Sequence, residues 1–180
     1  MSPREDQQSR KQHILEAAAV LFAERGYYKT TTADVARAVG VTQPYVFHFF
    51  KSKEELYLAV LEQASKQIYY AFEAVEAPPE QLKEALGQAF AKLLESHRNE
   101  ILLVMMSYAI PEPAVREFTR QRFDAIYDRL KERFEQAGFP NPGNEASAFI
   151  GTGLLISLSE SVGLTKLLPW CCTRVDRSIP

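Results

Sequence analysis

The stretch Thr30–Lys53, TTTADVARAVGVTQPYVFHFFKSK, leaves few folds open. Two short helical patterns flank a Gly-Val-Thr turn. Val35, Ala36 and Val39 are spaced to share one face of the first helix. Gly40 can take the left-handed conformation that stops a helix without a Cβ penalty. Thr42 then suits the N-cap of a second helix, and Pro44 falls in its first turn, where a missing N–H costs little. Val46 and Phe50 lie four apart and pack inward. Gln43, Tyr45, His48 and Phe49 are left on the outer side. Thr31 heads the first short helix with Asp34 three residues on, a Thr-x-x-Asp capping start. This is the pattern of a helix-turn-helix whose second helix is shaped to enter a major groove.

GVTQPYVFHFFKSKEEL resembles the recognition-helix signature of the tetracycline-repressor (TetR) family: a Gly-Val-Ser/Thr turn, an aromatic-x-aromatic-Phe run, then Lys-Glu opening a long helix. The preceding ILEAAAVLFAERGYYKTTTADVA resembles that family's first helix and the entry to its second. The motif-grade match covers about residues 10–61. Beyond it only the helical layout agrees. Phe47 stands where the family usually has Tyr, so a hydroxyl suited to a phosphate is absent. The resemblance implies an all-α chain with two parts, a DNA-binding domain over residues 1–53 and a helical ligand-binding and dimerisation domain over 54–180. It also implies a homodimeric repressor of a palindromic operator, released by a small, mostly apolar effector.

Composition agrees. Of 180 residues 46% are hydrophobic, enough for a sizeable core and too many for disorder. Apolar runs fall short of the ~18 residues a membrane span needs, and the opening MSPREDQQSRKQ has no apolar stretch of the kind a secretory signal carries. The net charge of −2 hides an asymmetry. Residues 1–53 hold eight Lys/Arg against five Asp/Glu, while residues 54–180 hold thirteen against eighteen. A basic reader on an acidic body suits phosphate neutralisation. Two adjacent cysteines, Cys171 and Cys172, staple no long loop and fit a reducing cytoplasm. They read as small buried hydrophobes near a subunit seam rather than as a thiol sensor.

Helical periodicity sets out the rest. A polar, mobile arm over residues 1–8 precedes a helix from about Ser9 to Arg25, buried along Ile14, Ala18, Leu21 and Phe22 and ended by Gly26. Ser52-Lys53-Glu54-Glu55 is a capping box for a helix that runs to about Val75 and belongs to both parts. Pro78-Pro79 breaks it. Further helices follow over about 80–97, 99–109, 111–137 and 145–164, with FPNPGN as a loop before the last. That last helix is apolar on several faces and dotted with Gly151, Gly153 and Gly163. Interior glycines cost roughly 1 kcal/mol each relative to Ala, which predicts close approach of another backbone.

Candidate site residues follow. Gln43 can pair bidentately with adenine N6/N7, while Pro44, Tyr45 and Phe47 can meet thymine methyls. Thr42, His48 and Lys53 are placed for phosphates. Thr31 and Thr32, at a helix N-terminus, can hold another, though as caps they need no DNA. The large and soft side chains Phe90, Leu94, Met105, Met106, Tyr108, Phe118, Phe123 and Tyr127 gather on the middle helices of the body. The resemblance implies an effector cavity there, with Arg122, Tyr127, Ser107 and Thr152 as polar contacts. Gly151, Leu154, Leu155, Leu158 and Val162 on the last helix are the expected dimer seam, the alternative being a helix enclosed within one chain. No cofactor, metal or catalytic constellation is present: His13, His48 and His97 lie on different helices without metal-ligand spacing, and there is no Gly-rich phosphate loop. The rival reading is a helical carrier of apolar ligands that does not read DNA sequence.

Overall fold

In the computed structural model, which describes residues 3–168, the chain forms eight α-helices, with no strand among the described residues. They are α1 (Pro3–Lys29), α2 (Thr32–Ala38), α3 (Gln43–Phe49), α4 (Lys53–Glu73), α5 (Leu82–Ser96), α6 (Arg98–Met106), α7 (Pro113–Gln136) and α8 (Pro142–Val162). Short 3-10 turns lie at Pro79–Gln81, Ser107–Ala109 and Thr165–Leu167. Cys171 and Cys172 lie outside the described residues.

Two helices begin earlier than the periodicity predicts. α1 starts at Pro3, not near Ser9, so most of the expected mobile arm is helical. α8 starts at Pro142, inside the expected FPNPGN loop. Both have proline at the first helical turn, where it is favoured because its missing N–H has no intrahelical role. α1 is broken at Gly26, whose φ of 78° only glycine adopts freely. Just beyond the break, the buried Thr30 hydroxyl lies 3.0 Å from the carbonyls of both Leu21 and Gly26 and fastens the chain back onto α1.

The helix starts follow local chemistry. Ser52 Oγ accepts from the Glu55 N–H at 3.0 Å, and the Glu55 carboxylate accepts from the Lys51 N–H at 2.9 Å. Four orphan donors open any helix; the first bond answers one of them, and the second holds the residue before the cap. The far end of α4 is closed by another helix: the Arg133 guanidinium of α7 donates to the carbonyls of Phe72 and Val75. Arg129, one turn earlier on α7, forks onto Glu73, with Nη2 2.7 Å from Oε2.

One buried cluster runs without interruption from Ile14 of α1 through Leu56, Leu61, Ala64 and Phe72 of α4 to Phe134 of α7 and Ala146 of α8. α4 is its spine. α6 meets α1, α4 and α8, so it lies between the reader and the last helix. Gly153 of α8 has a different cause from the one expected. A Cβ on Gly153 would meet the Met105 methyl at 3.3 Å and the Phe90 ring at 3.8 Å, so side chains rather than a backbone approach it. Gly151 faces open space.

Phe134 is fully buried, its ring 5.1 Å from Phe139 and 6.4 Å from Phe149. Phe134→Ala should lower the unfolding free energy by about 3–5 kcal/mol, read from the urea midpoint at unchanged slope. A loss below ~1 kcal/mol would show that this end of the body is not closely packed.

Candidate nucleic-acid interface

α2 and α3 meet across the turn that Gly40 makes at φ 70°. The Val41 N–H closes it on the Ala36 carbonyl at 2.9 Å. Val35, Ala36, Val46 and Phe50 are buried beneath. Burying these four fixes which way α3 faces. Gln43, Pro44, Phe47 and His48 are exposed, and Tyr45 is half-buried with its ring 5.4 Å from that of Phe49. Phe47 keeps 41% of its surface in water. A ring so exposed is not a core position.

Thr31 caps α2. Its hydroxyl accepts from the Asp34 N–H at 3.1 Å, while its own N–H donates to the Asp34 carboxylate at 3.1 Å. Bonds from the Thr31 side chain, then from its backbone, hold the Asp34 carboxyl below the usual range, with Arg37 adding to the effect. Thr42 occupies the N-cap of α3, but its hydroxyl makes no cap bond and stays exposed.

Two expected phosphate contacts are placed differently. Thr32 is buried, and its hydroxyl accepts from Gln43 Nε2 at 2.8 Å. It therefore orients the amide instead of meeting solvent. The bond uses one Gln43 N–H, leaving the other N–H and the carbonyl, the two groups needed for adenine. Lys53 turns back: its ammonium lies 3.1 Å from the Tyr27 carbonyl and 4.4 Å from the Tyr27 ring centre, tying α4 to the end of α1. His48 is exposed, with Nε2 3.4 Å from Nε2 of Gln7 on the early turns of α1. Neither the Thr32–Gln43 bond nor the Gln7–His48 approach has a local signal in the sequence. The proline at position 3 was the one cue that α1 reaches so far.

The expected effector residues differ in their settings. Phe90, Leu94 and Met105 are buried in the core, and Phe118, Phe123 and Tyr127 are half-buried against it. Tyr108 is 60% exposed. Arg122 lies over the Phe118 ring and pairs with Glu62 of α4 at 2.6 Å. The buried Ser107 hydroxyl accepts from Thr119 at 2.9 Å, and Thr152 donates to the Ala148 carbonyl at 2.9 Å. An open cleft of about 510 Å³ lies elsewhere, between the end of α1 and α6. Of the expected set, Met106 alone lines it. Aromatic and Met residues at helical spacing mark burial, but they do not say between which helices a gap opens.

On α8, Leu155, Leu158 and Val162 are exposed, by 37%, 43% and 59%, and with Gly151 they form one stripe. Leu154 is half-buried and packs on the core beside it.

A short helix seated on a glycine turn, with an amide and aromatic side chains outward and a helical body behind, defines a helix-turn-helix regulator. Residues 14–60 match the family model described as bacterial regulatory proteins, tetR family. The transcriptional repressor KstR2 of Mycobacterium tuberculosis is 29% identical over 128 residues, which cover 69% of this chain and 61% of that protein. YvkB of Bacillus subtilis, an uncharacterized HTH-type transcriptional regulator, is 30% identical over 141 residues, covering 74% of this chain and 71% of that one. The crystal structure of AibR in complex with isovaleryl coenzyme A and operator DNA matches with a TM-score of 0.69 at 24% identity, covering 88% of this chain and 97% of that one. The chain belongs to the tetR family of bacterial regulatory proteins. It spans 61% of the length of KstR2.

Thr32→Val and Gln43→Ala should both reduce the ratio of operator to scrambled-DNA affinity, Gln43→Ala by about 10-fold or more. An unchanged ratio in fluorescence anisotropy would remove Gln43 from the readout. The Asp34 carboxyl has a lowered folded-state pKa, so its contribution to stability is present above the ordinary carboxylate range and fades as pH falls through the folded value. Asp34→Asn should therefore lower the melting midpoint at pH 7, and the gap from the parent protein should narrow as pH falls below the ordinary carboxylate range. A gap of constant size across that range would break the assignment.

Proposed function

We propose that the chain is a ligand-responsive transcriptional repressor that binds a palindromic DNA operator as a homodimer. Residues 1–53 serve as the reader and residues 54–180 as the ligand-binding and dimerisation body, working in the cytoplasm, where the DNA is. The observation that carries this reading is the outer face of α3, where Gln43, Pro44, Phe47 and His48 stand clear of the core with Thr32 behind the Gln43 amide. One such helix offers too few base contacts for useful specificity, so two are needed, a whole number of turns apart. The apolar stripe of α8 supports an isologous seam that would set that spacing. KstR2 is named a repressor, and the AibR structure holds both isovaleryl coenzyme A and operator DNA. Those names favour repression and control by a bound small molecule, while release by a small, mostly apolar effector rests on the resemblance to the family. No feature of α3 supports the rival carrier reading, which would leave this face without a use.

A gel shift with DNA upstream of the chain's own and neighbouring genes tests the reading, and a shift indifferent to sequence at low salt would sink it. Leu158→Arg places a charge in the proposed seam. It should sediment as a monomer at micromolar concentration and lose operator affinity by ~100-fold or more, because the second reader no longer adds to the first. A variant that stays dimeric and binds normally would move the seam off α8.

A further inference from the structure

We infer that the open cleft between α1 and α6 is an effector site for a compact, neutral, apolar molecule bearing one carbonyl-type hydrogen-bond acceptor, an inference that rests on the reading of the chain as an effector-released regulator. The cleft measures about 510 Å³, within the roughly 300–1,000 Å³ of pockets that enclose small ligands. Phe22 and Tyr27 of α1, Tyr57 of α4, Leu102 and Met106 of α6, and Ile110 beyond it make its apolar walls.

Tyr57 supplies the second, independent observation. It is only 2% exposed, yet its hydroxyl makes no hydrogen bond to any described residue. Buried tyrosine hydroxyls ordinarily find a partner. The ring is held edge-on between Phe22 at 4.8 Å and Tyr27 at 4.9 Å on the lining of the cleft. Burial also raises the phenol's pKa, so at neutral pH the group is a donor. A carbonyl oxygen is the complement it lacks.

Charge narrows the class further. Arg98 lines the cleft, but its guanidinium lies 2.8 Å from the Glu160 carbonyl and 3.5 Å from the Glu160 carboxylate. Glu24 stands on the lining as well. With the cation paired and a carboxylate alongside, an anion gains little, so a ketone, ester or amide fits better than an acid. One wall belongs to the reader and the other to the body. An occupant touching both must bind one relative placement of α1 and α6 better than another, which is what linkage to the operator requires.

The test uses the full chain and prodan, a neutral naphthyl ketone whose emission reports polarity and hydrogen bonding to its carbonyl. The parent protein should bind it at one saturable site per chain, and saturation should weaken operator binding about 5-fold or more. Ala23 is an exposed lining residue, so Ala23→Phe fills the cleft from its rim and should weaken prodan about 10-fold or more. Tyr57→Phe keeps the ring, and should weaken prodan by several-fold and shift the bound emission to the blue; this arm decides if Ala23→Phe fails to fold. Equal affinity across the three proteins, no saturable binding by the parent, or an unshifted emission in Tyr57→Phe overturns the site. Site-specific binding that leaves operator affinity unchanged overturns its effector role. If no protein selects any DNA while prodan still binds in the cleft, the repressor reading fails and the binding site stands.

Discussion

The burial of one face of α4 is the constraint on which the rest depends. Leu56, Tyr57, Val60, Leu61, Ala64, Ile68 and Phe72 are all buried along 21 helical residues. Each of the Leu, Val, Ile and Phe side chains among them contributes about 1.5–3 kcal/mol on leaving water. The first half of that row packs against the reader and the second half against the body. The ends of α4 are tied as well. Ser52, Glu55 and Lys53 bind its start to the reader, and Arg133 and Arg129 bind its finish to α7. A helix pinned at both ends and buried along one side transmits displacement instead of absorbing it.

The pins differ in kind. The Arg129–Glu73 fork is partly exposed, and exposed ion pairs are worth little on their own. Its value lies in direction: two parallel N–H···O bonds set the angle at which α7 meets α4. Arg133 does more for stability, since it closes the helix end with charge-assisted bonds to the Val75 carbonyl and to that of Phe72, which also accepts from the Val75 N–H at 3.2 Å. The bonds of Glu73 to Arg129 hold its carboxyl below the usual range, so the fork persists at mildly acid pH.

The reader was legible because its signals are local. A Thr-x-x-Asp start, a glycine at a helix end and a proline in a first turn each act within four residues, and all three are realised at Thr31, Gly40 and Pro44. The burial of Val46 and exposure of Gln43 follow from helical spacing alone. Long-range polar contacts carry no such signature. Thr32 meets Gln43 eleven residues away, and Arg133 meets Phe72 across 61. Nothing in the spacing of either pair announces it. The gap between α1 and α6 is harder still to read, since it depends on how two helices distant in sequence fail to close against each other. Large apolar side chains on α5 to α7 said only that something buries them, and for Phe90, Leu94 and Met105 that something is the core itself.

Magnitudes show why the junction of α1, α4 and α6 is a sensible place for control. Linkage between two sites is typically about 1–3 kcal/mol, and burying one methylene contributes about 0.8 kcal/mol. An occupant need therefore cover only a few more apolar atoms in one arrangement of α1 against α6 than in the other. Leu103 and Met106, half-buried on the α6 side of the cleft, are close enough to full burial for a small shift to change how much of them meets water. Methionine, with its flexible thioether, can follow such a shift at little strain. On the reader side the break at Gly26 separates the end of α1 from the helix above it, and the bond from the Lys53 ammonium to the Tyr27 carbonyl couples that end to α4. Control at this joint then needs no rearrangement of the body's core, which is packed too closely to offer a second arrangement cheaply.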